Sequence, residues 1–429
     1  MHVNNTTSNS NANITAHLKF SLCCQVPWFL IESGYLKYIG FAFVTLALAK
    51  TNKKHQPCIG NFESEGSGIE NIMGCLMKRY GNLYKKIYDI DNLILAHQNA
   101  RKDKLFYKEV KMVDGDPEYY LGLIQEMLIN KTYIVSEYVV SIICDKGKER
   151  ELMKLPYFPD RIIQWAIMLQ IEEVFMKTFC THTCASIKFR GIRKASEFTS
   201  KYMRDRFNTE YCLKIDISKF YPNVNHLILK KLLRKKFKDK DLLGLMDKII
   251  DSYPGDKGVP IGSYLSQYLA NFYLSYFDHW LKEKMKVKYV IRYMDDMVIF
   301  HYSKEYLHWL KQQMDNYLKE ELELTIKQNW QVFPSGTRGV DFVGFRHFFG
   351  YKLLRKSTCK KFKKKMLQIK KKHENGNLLN YSEWCSANSY NGWLKWCNSF
   401  RLREKYVVPV QSSLDKYYNQ IIKKKGMVA

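Results

Sequence analysis

The sequence is short of what a membrane-spanning or secreted protein needs. No long apolar span is present: Tyr38 to Ala49 is an uncharged, mostly apolar run of twelve residues between Lys37 and Lys50, and a bilayer requires about 20. That run also lies too far from the N-terminus for an ordinary signal peptide. The eleven cysteines have no regular spacing and many fall inside apolar patterns, so they read as reduced thiols of a cytoplasmic protein and not as a disulfide framework. Cys180-Thr-His182-Thr-Cys184 is the nearest approach to a zinc motif. It has no second Cys/His pair to complete four ligands. Acidic residues are scarce beside basic ones, 42 against 69.

That imbalance gives a formal charge of +27, which implies a polyanionic partner. Nucleic acid is favoured over an anionic membrane because no long apolar stretch accompanies the charge. A chain of 429 residues with 46% hydrophobic content can form two or three domains with a sizeable core.

Chemistry concentrates in Tyr289 to Phe300, YVIRYMDDMVIF. β-Branched and aromatic residues on both sides of Met294-Asp295-Asp296 predict two short strands joined by a tight turn, with two carboxylates exposed at its tip. An isolated Asp-Asp pair is most often a solvated turn. Upstream, Tyr211, Leu213, Ile215 and Ile217 alternate with Cys212, Lys214 and Asp216, the period of a half-buried strand with Asp216 near its end on the polar face. A strand-borne Asp followed at a distance by a hairpin carrying two more is the outline of a two-metal phosphoryl-transfer site. One ion would activate a 3′-hydroxyl while the other holds a triphosphate.

Asp216 and Tyr293-Met-Asp-Asp296 resemble motifs A and C of the reverse transcriptases, and other segments resemble that family's further motifs in the family's order. Lys154-Leu-Pro-Tyr-Phe-Pro-Asp-Arg161 resembles the opening element of bacterial enzymes related to group II introns. Ser186-Ile-Lys-Phe-Arg-Gly-Ile-Arg193 is a basic loop in which the resemblance has Lys188 and Arg190 hold the incoming triphosphate. Tyr221, five residues after Asp216, stands where the family has a steric gate against the ribose 2′-hydroxyl. Gly258 to Gln267 resembles motif B, its two glycines suited to close approach of a nucleotide. Within it Ile261-Gly262-Ser-Tyr-Leu-Ser-Gln267 departs from the common Gln-Gly-x-x-x-Ser-Pro and matches the reverse transcriptases of diversity-generating retroelements. Lys327 falls at the motif D lysine that protonates pyrophosphate, and Gly344 and Phe345 at the motif E primer grip.

The resemblance implies an α+β right-hand polymerase fold with fingers (73–205), an antiparallel-sheet palm (206–350) and a basic helical thumb (351–429), behind an atypical N-terminal extension (1–72) and a start near Met73 or Met77. It implies two Mg²⁺ held by Asp216, Asp295, Asp296 and the carbonyl of Ile217. The implied partners are an RNA template, a DNA or RNA primer, deoxynucleoside triphosphates and a small basic accessory protein, with no membrane. The implied activity is RNA-directed DNA synthesis, error-prone at template adenines. An antiphage-defence, retron or intron-related enzyme is the alternative within the class, and a non-catalytic nucleic-acid-binding protein the alternative outside it. The tail carries no carboxylate-rich cluster of the kind a nuclease needs. Its Trp384, Trp393 and Trp396 read as core.

Overall fold

The computed structural model describes residues 78–145 and 148–423, all within one unit, Cys75–Ala429. The extension 1–72 and the starts at Met73 and Met77 lie outside the described residues. The stretch after Met77, with Leu83, Ile87, Ile90, Leu93 and Ile94 at helical spacing, forms two helices and not one, Tyr84–Ile87 and α1 (Ile90–Ala100), because Asp89 turns the chain and caps the second by accepting from the Asp91 amide. α2 (Pro117–Ile129) starts where Asp116 accepts from the Tyr119 amide and Pro117 fills the first turn. Tyr133 to Ile143 is rich in β-branched and aromatic residues but is strand only from Val139, where β1 (Val139–Asp145) pairs with β2 (Lys148–Lys154). Tyr133 is held instead by its hydroxyl, which donates to the buried Asp160 carboxylate at 2.6 Å.

α3 (Ile162–Thr178) is the apolar axis of the N-terminal half. Ile162, Ile163, Ile167, Ile171 and Phe175 are all fully covered, against α1 on one side and α7 (below) on another. A helix apolar all round belongs in a core, and this one has neighbours on several sides. α4 (Ile192–Tyr202) then leads to β3 (Tyr211–Asp216). α5 (His226–Lys236), α6 (Lys240–Asp251) and α7 (Tyr264–Tyr273) are capped by Asn225, Asp239 and Ser263. Asp239 also accepts from the Leu83 and Tyr84 amides at 2.7 and 3.0 Å, so one carboxylate caps two helices 156 residues apart in sequence.

β4 (Tyr289–Tyr293) and β5 (Asp296–His301) complete the central sheet with β6 (Gln331–Pro334), in the order β4-β5-β3-β6, every described pairing antiparallel. α8 (Lys304–Leu322) packs on it. Cys212, expected on a polar face, is buried, because the sheet is covered on both sides: Leu213 and Ile215 enter the main core and Cys212 a second cluster with Val298, Phe300 and Phe342.

A three-stranded sheet follows, β7 (Val340–Phe342), β8 (Phe345–His347) and β9 (Lys352–Leu354). α9 (Lys356–Glu374) and α10 (Tyr381–Leu394), the latter opened by a reciprocal cap between Asn380 and Glu383, close the molecule with shorter helices after them. Phe362, Met366 and Ile369 of α9 build a separate core with Leu394, Val410 and Leu414, leaving Lys360, Lys361, Lys364 and Lys371 exposed. Trp384 and Trp393 pack on that core as expected. Trp396 stays 41% exposed beneath the Arg193 guanidinium, 4.1 Å from its ring. Among the described residues no helix is long and apolar enough to cross a membrane.

Candidate active site

The site is a consequence of strand register. β3 and β5 pair from Tyr211 opposite His301 to Asp216 opposite Asp296, so the last residue of one strand and the first of the other bring two carboxylates side by side at the sheet end. The ladder continues one step further, where the Ile217 amide donates to the Asp295 carbonyl at 3.1 Å. The hairpin between β4 and β5 has only Met294 and Asp295 as its loop, and Met294 takes a φ of 60°, a left-handed conformation that a tight hairpin demands and a side chain resists.

The expectation of two exposed carboxylates at a hairpin tip is corrected here. Asp296 belongs to the strand, and both Asp295 and Asp296 are half-buried. Asp296 Oδ1 is covered and has no hydrogen-bond partner. Burial pushes the Asp296 carboxyl up to about 6; the nearby Asp216 and Asp295 add to the rise and Lys214 opposes it. Lys214 Nζ stands 3.7 Å from Asp296 Oδ1 while donating to the Asp341 carbonyl at 2.6 Å.

Asp216 is gripped from the other side. The Lys327 amide donates to its carbonyl at 2.8 Å, the Ser218 amide donates to the Thr325 carbonyl at 2.8 Å, and Lys327 Nζ donates to Asp216 Oδ1. Lys327, expected at a pyrophosphate, therefore lies on a carboxylate of the site.

The donor set suits a divalent ion in kind. Half-buried carboxylates of like charge, one with an unpartnered oxygen, and the Ile217 carbonyl at the strand end are hard oxygen donors whose mutual repulsion a cation relieves. Among the described residues, however, no three His, Cys, Asp or Glu side chains are already gathered as a metal cluster. The Cys180, His182 and Cys184 segment forms none either. Cys184 is a buried thiol pushed up to about 11 by burial.

Of the other expected residues, Tyr221 lies at this end of the sheet. The Tyr221 hydroxyl donates to Met294 Sδ at 3.7 Å, and burial, with the Asp295 charge second, raises its phenol well above the usual range. Gly262 and Gln267 line a groove of about 260 Å³ together with Lys104, Arg161 and Trp165, while Ile261 beside them is half-buried. Gly262 has a φ of +108° and open space where a Cβ would stand, whereas a Cβ on Gly258 would lie 2.3 Å from the Tyr253 ring. Internal packing by itself therefore calls for glycine at 258.

Lys188 projects beside the exposed Phe189, 5.5 Å from its ring. Arg190 turns back, its Nη1 donating to the carbonyls of Cys180 and Thr183 at 2.6 and 2.8 Å, so part of its fork holds the loop together. Phe345 is a correction: it is 2% exposed and packs 5.2 Å from Trp393, so its ring offers no surface to a primer. Gly344 has a φ of +88°, and a Cβ there would meet Trp393 at 2.4 Å. A cleft of about 510 Å³ opens beside Asp216 and Asp296, lined by Lys214, Arg338, Arg346 and Arg355. These arginines and the groove residues Lys104 and Trp165 have no role in the motifs above; a basic residue within two or three positions of a site motif is the signal that marks Arg346 and Lys214.

Residues 141–347 match the model of the family described as reverse transcriptase (RNA-dependent DNA polymerase). These residues form a reverse transcriptase domain. Its helices and antiparallel central sheet make up the α+β right-hand polymerase fold.

Relatives of the domain include Protein YkfC of Escherichia coli K12, 25% identical over 199 residues, or 44% of this chain and 48% of that one. Group II intron-encoded protein LtrA of Lactococcus lactis subsp. cremoris is 22% identical over 374 residues, 70% of this chain and 60% of that one. The putative COX1/OXI3 intron 2 protein of Saccharomyces cerevisiae is 21% identical over 253 residues, 43% of this chain and 29% of that one. The chain thus spans about half the length of the first of these relatives. Among solved structures, telomerase from Candida albicans aligns with a TM-score of 0.43 at 10% identity, over 69% of this chain and 65% of that one.

Proposed function

We propose that the chain is an RNA-directed DNA polymerase that extends a primer on an RNA template with deoxynucleoside triphosphates. The observation that carries this reading is the direct pairing of Asp216 with Asp296 beside the Asp295 turn, inside a reverse transcriptase domain. Asp216, Asp295, Asp296 and the Ile217 carbonyl would hold two Mg²⁺. When bound, such ions supply activation of the 3′-hydroxyl and charge neutralisation at the leaving pyrophosphate. The protein's own part is positioning. The β3–β5 register fixes the carboxylates relative to one another, Lys188 and Arg190 would meet the triphosphate, and Gly262 and Gln267 would face the nascent pair. Tyr221 would exclude a 2′-hydroxyl.

Lys327 would leave Asp216 for the departing pyrophosphate when a cation replaces it. The primer would lie along the arginine-lined cleft, with the Gly344 backbone as its nearest motif E contact. Fingers, palm and thumb would follow the boundaries 73–205, 206–350 and 351–429; the apolar core built mainly by the last segment, which also takes in Phe345, supports setting that segment apart. Primer extension on a defined RNA tests the reading. Wild type is expected to make cDNA and Asp295→Ala none, with template affinity retained; equal product from both would leave only a nucleic-acid-binding protein.

Within this function two narrower readings each have an observation behind them. Ile261-Gly262-Ser-Tyr-Leu-Ser-Gln267 favours the reverse transcriptase of a diversity-generating retroelement, error-prone at template adenines and working with a small basic accessory protein. An isoleucine in place of a motif B amide removes hydrogen bonds and leaves base choice to shape. The long alignment with an intron-encoded protein favours an intron-related enzyme, with retron and antiphage-defence enzymes beside it. Sequencing of cDNA decides: substitutions concentrated opposite adenine support the first, and uniform fidelity removes it.

A further inference from the structure

Arg292 is a charged residue in the middle of an apolar strand, and it is wholly buried. All five of its N–H donors are engaged. Nε donates to Asp278 Oδ1 at 2.8 Å and Nη2 to Asp278 Oδ2 at 2.5 Å. Nη2 also reaches the Asn271 carbonyl at 3.4 Å, while Nη1 donates to Asn271 Oδ1 at 3.1 Å and to the Met294 carbonyl at 3.0 Å. Asp278 is equally buried and receives the Thr183 hydroxyl at 2.7 Å.

The same residues tie in the basic loop. The Arg292 amide donates to the His182 carbonyl at 3.0 Å, the Cys184 amide donates to the Arg292 carbonyl at 2.9 Å, and Asn271 Nδ2 donates to the Ala185 carbonyl at 2.8 Å. Arg190 closes onto the Thr183 carbonyl from the loop's far side. Arg292 therefore joins β4 to α7 and the helix Ser275–His279 through its guanidinium, and to the loop that bears Lys188 through its main chain and through Asp278 and Asn271.

Burying an ion pair is a poor way to gain stability, since apolar side chains of similar volume fill such a space as well or better. What a planar fork provides, and a hydrocarbon does not, is a fixed direction for each hydrogen bond. Here one of those bonds ends on the carbonyl of Met294, the residue whose left-handed backbone makes the catalytic turn. A strained backbone persists only where its surroundings over-determine it.

We propose that Arg292, oriented by Asp278 and Asn271, is a positioning residue for catalysis: it holds the Met294–Asp295 turn, and so sets Asp295 and Asp296 relative to Asp216 and to the nucleotide-binding loop. The inference rests on the polymerase reading.

The test compares the full chain with Arg292→Lys and with the double variant Arg292→Met/Asp278→Leu. Lysine keeps the charge and so protects the fold, but its ammonium has three donors in place of five and no fork. Arg292→Lys is expected to lower kcat by about 10- to 100-fold, the scale of a misplacement near 1 Å, with KM for the deoxynucleotide and metal-free affinity for primer–template unchanged. The double variant removes both charges together; its melting temperature is expected to equal or exceed that of wild type while kcat stays down by a similar factor. Wild-type kcat in either variant overturns the inference, as does a loss of activity that matches the fraction of unfolded protein. A double variant that fails to fold leaves the decision to Arg292→Lys. No cDNA from wild type would overturn the polymerase reading and this inference with it, whereas an active wild type with unchanged kcat in Arg292→Lys overturns this inference alone.

Discussion

Tyr221 lies against Met294 because the chain leaving β3 turns at Pro222 and returns its hydroxyl to the hairpin. A ring held at both the main chain and the hydroxyl would, in the proposed role, not yield to an additional oxygen on a sugar, since selectivity of this kind works by exclusion. Tyr221→Ala is expected to raise ribonucleotide incorporation relative to deoxynucleotide by about tenfold or more, equivalent to ~1.4 kcal/mol, as read by competition between the two triphosphates. Unchanged sugar preference would remove the gate.

His347 offers a separate check on the core. It is fully covered, its Nε2 has no partner, and burial, aided by the Lys352 charge, holds its imidazole down at about 3 against an ordinary 6.5. An unfolded chain binds that proton below pH 6.5 and the folded one does not until about pH 3, so stability should fall as pH drops through this interval. His347→Met, similar in size and not titratable, is expected to flatten that part of the denaturation profile; parallel profiles would contradict it.

At the level of strands and helices, most of the outline was legible. Helices such as α2 and α8 announce themselves through a capping residue ahead of an apolar period, and β3 through alternation. The resemblance to motifs A and C pointed to three carboxylates, and strand register sets two of them, Asp216 and Asp296, opposite each other. Direction was harder to read. Cys212 sits in a strand covered on both faces, where alternation carries no information, whereas β8 does alternate, with Phe345 and His347 on its covered face and Arg346 on the other. The environment of Arg292 marks it: a guanidinium among Val290, Ile291 and Met297 must have a buried partner, and Asp278 in the short helix Ser275–His279 is that partner.

The inward turn of β8 has a measurable result. Phe345→Ala is expected to destabilise the protein by about 3–5 kcal/mol, the usual effect of emptying a core site, in chemical denaturation. Primer affinity should be unchanged where the variant remains folded. Weakened primer binding at unaltered stability would restore Phe345 to the grip.

Across the whole molecule, charge and core are arranged by opposite faces of the same helices. In α9 the stripe Phe362, Met366 and Ile369 is covered while lysines face out, so a formal charge of +27 can be concentrated without placing those lysines in the core. Binding that relies on such lysines releases counterions from a nucleic acid. Affinity for an RNA–DNA duplex is expected to drop by about 10³-fold or more between roughly 50 and 200 mM salt, measured by fluorescence anisotropy. A flat salt response would mean that the lysine-rich face does not meet the duplex.

The carboxylate of Asp239 has a bearing on how much of the chain can be removed. It anchors the amides of Leu83 and Tyr84, and just ahead of them Tyr80 exchanges main-chain hydrogen bonds with Lys236 and Lys238 at 2.9 and 2.8 Å. A truncation ending at residue 77 spares this clasp. One that reaches residue 84 removes it, and with it the ties from the first residues to α5 and α6, so the yield of folded protein is expected to drop when an N-terminal deletion passes those few positions.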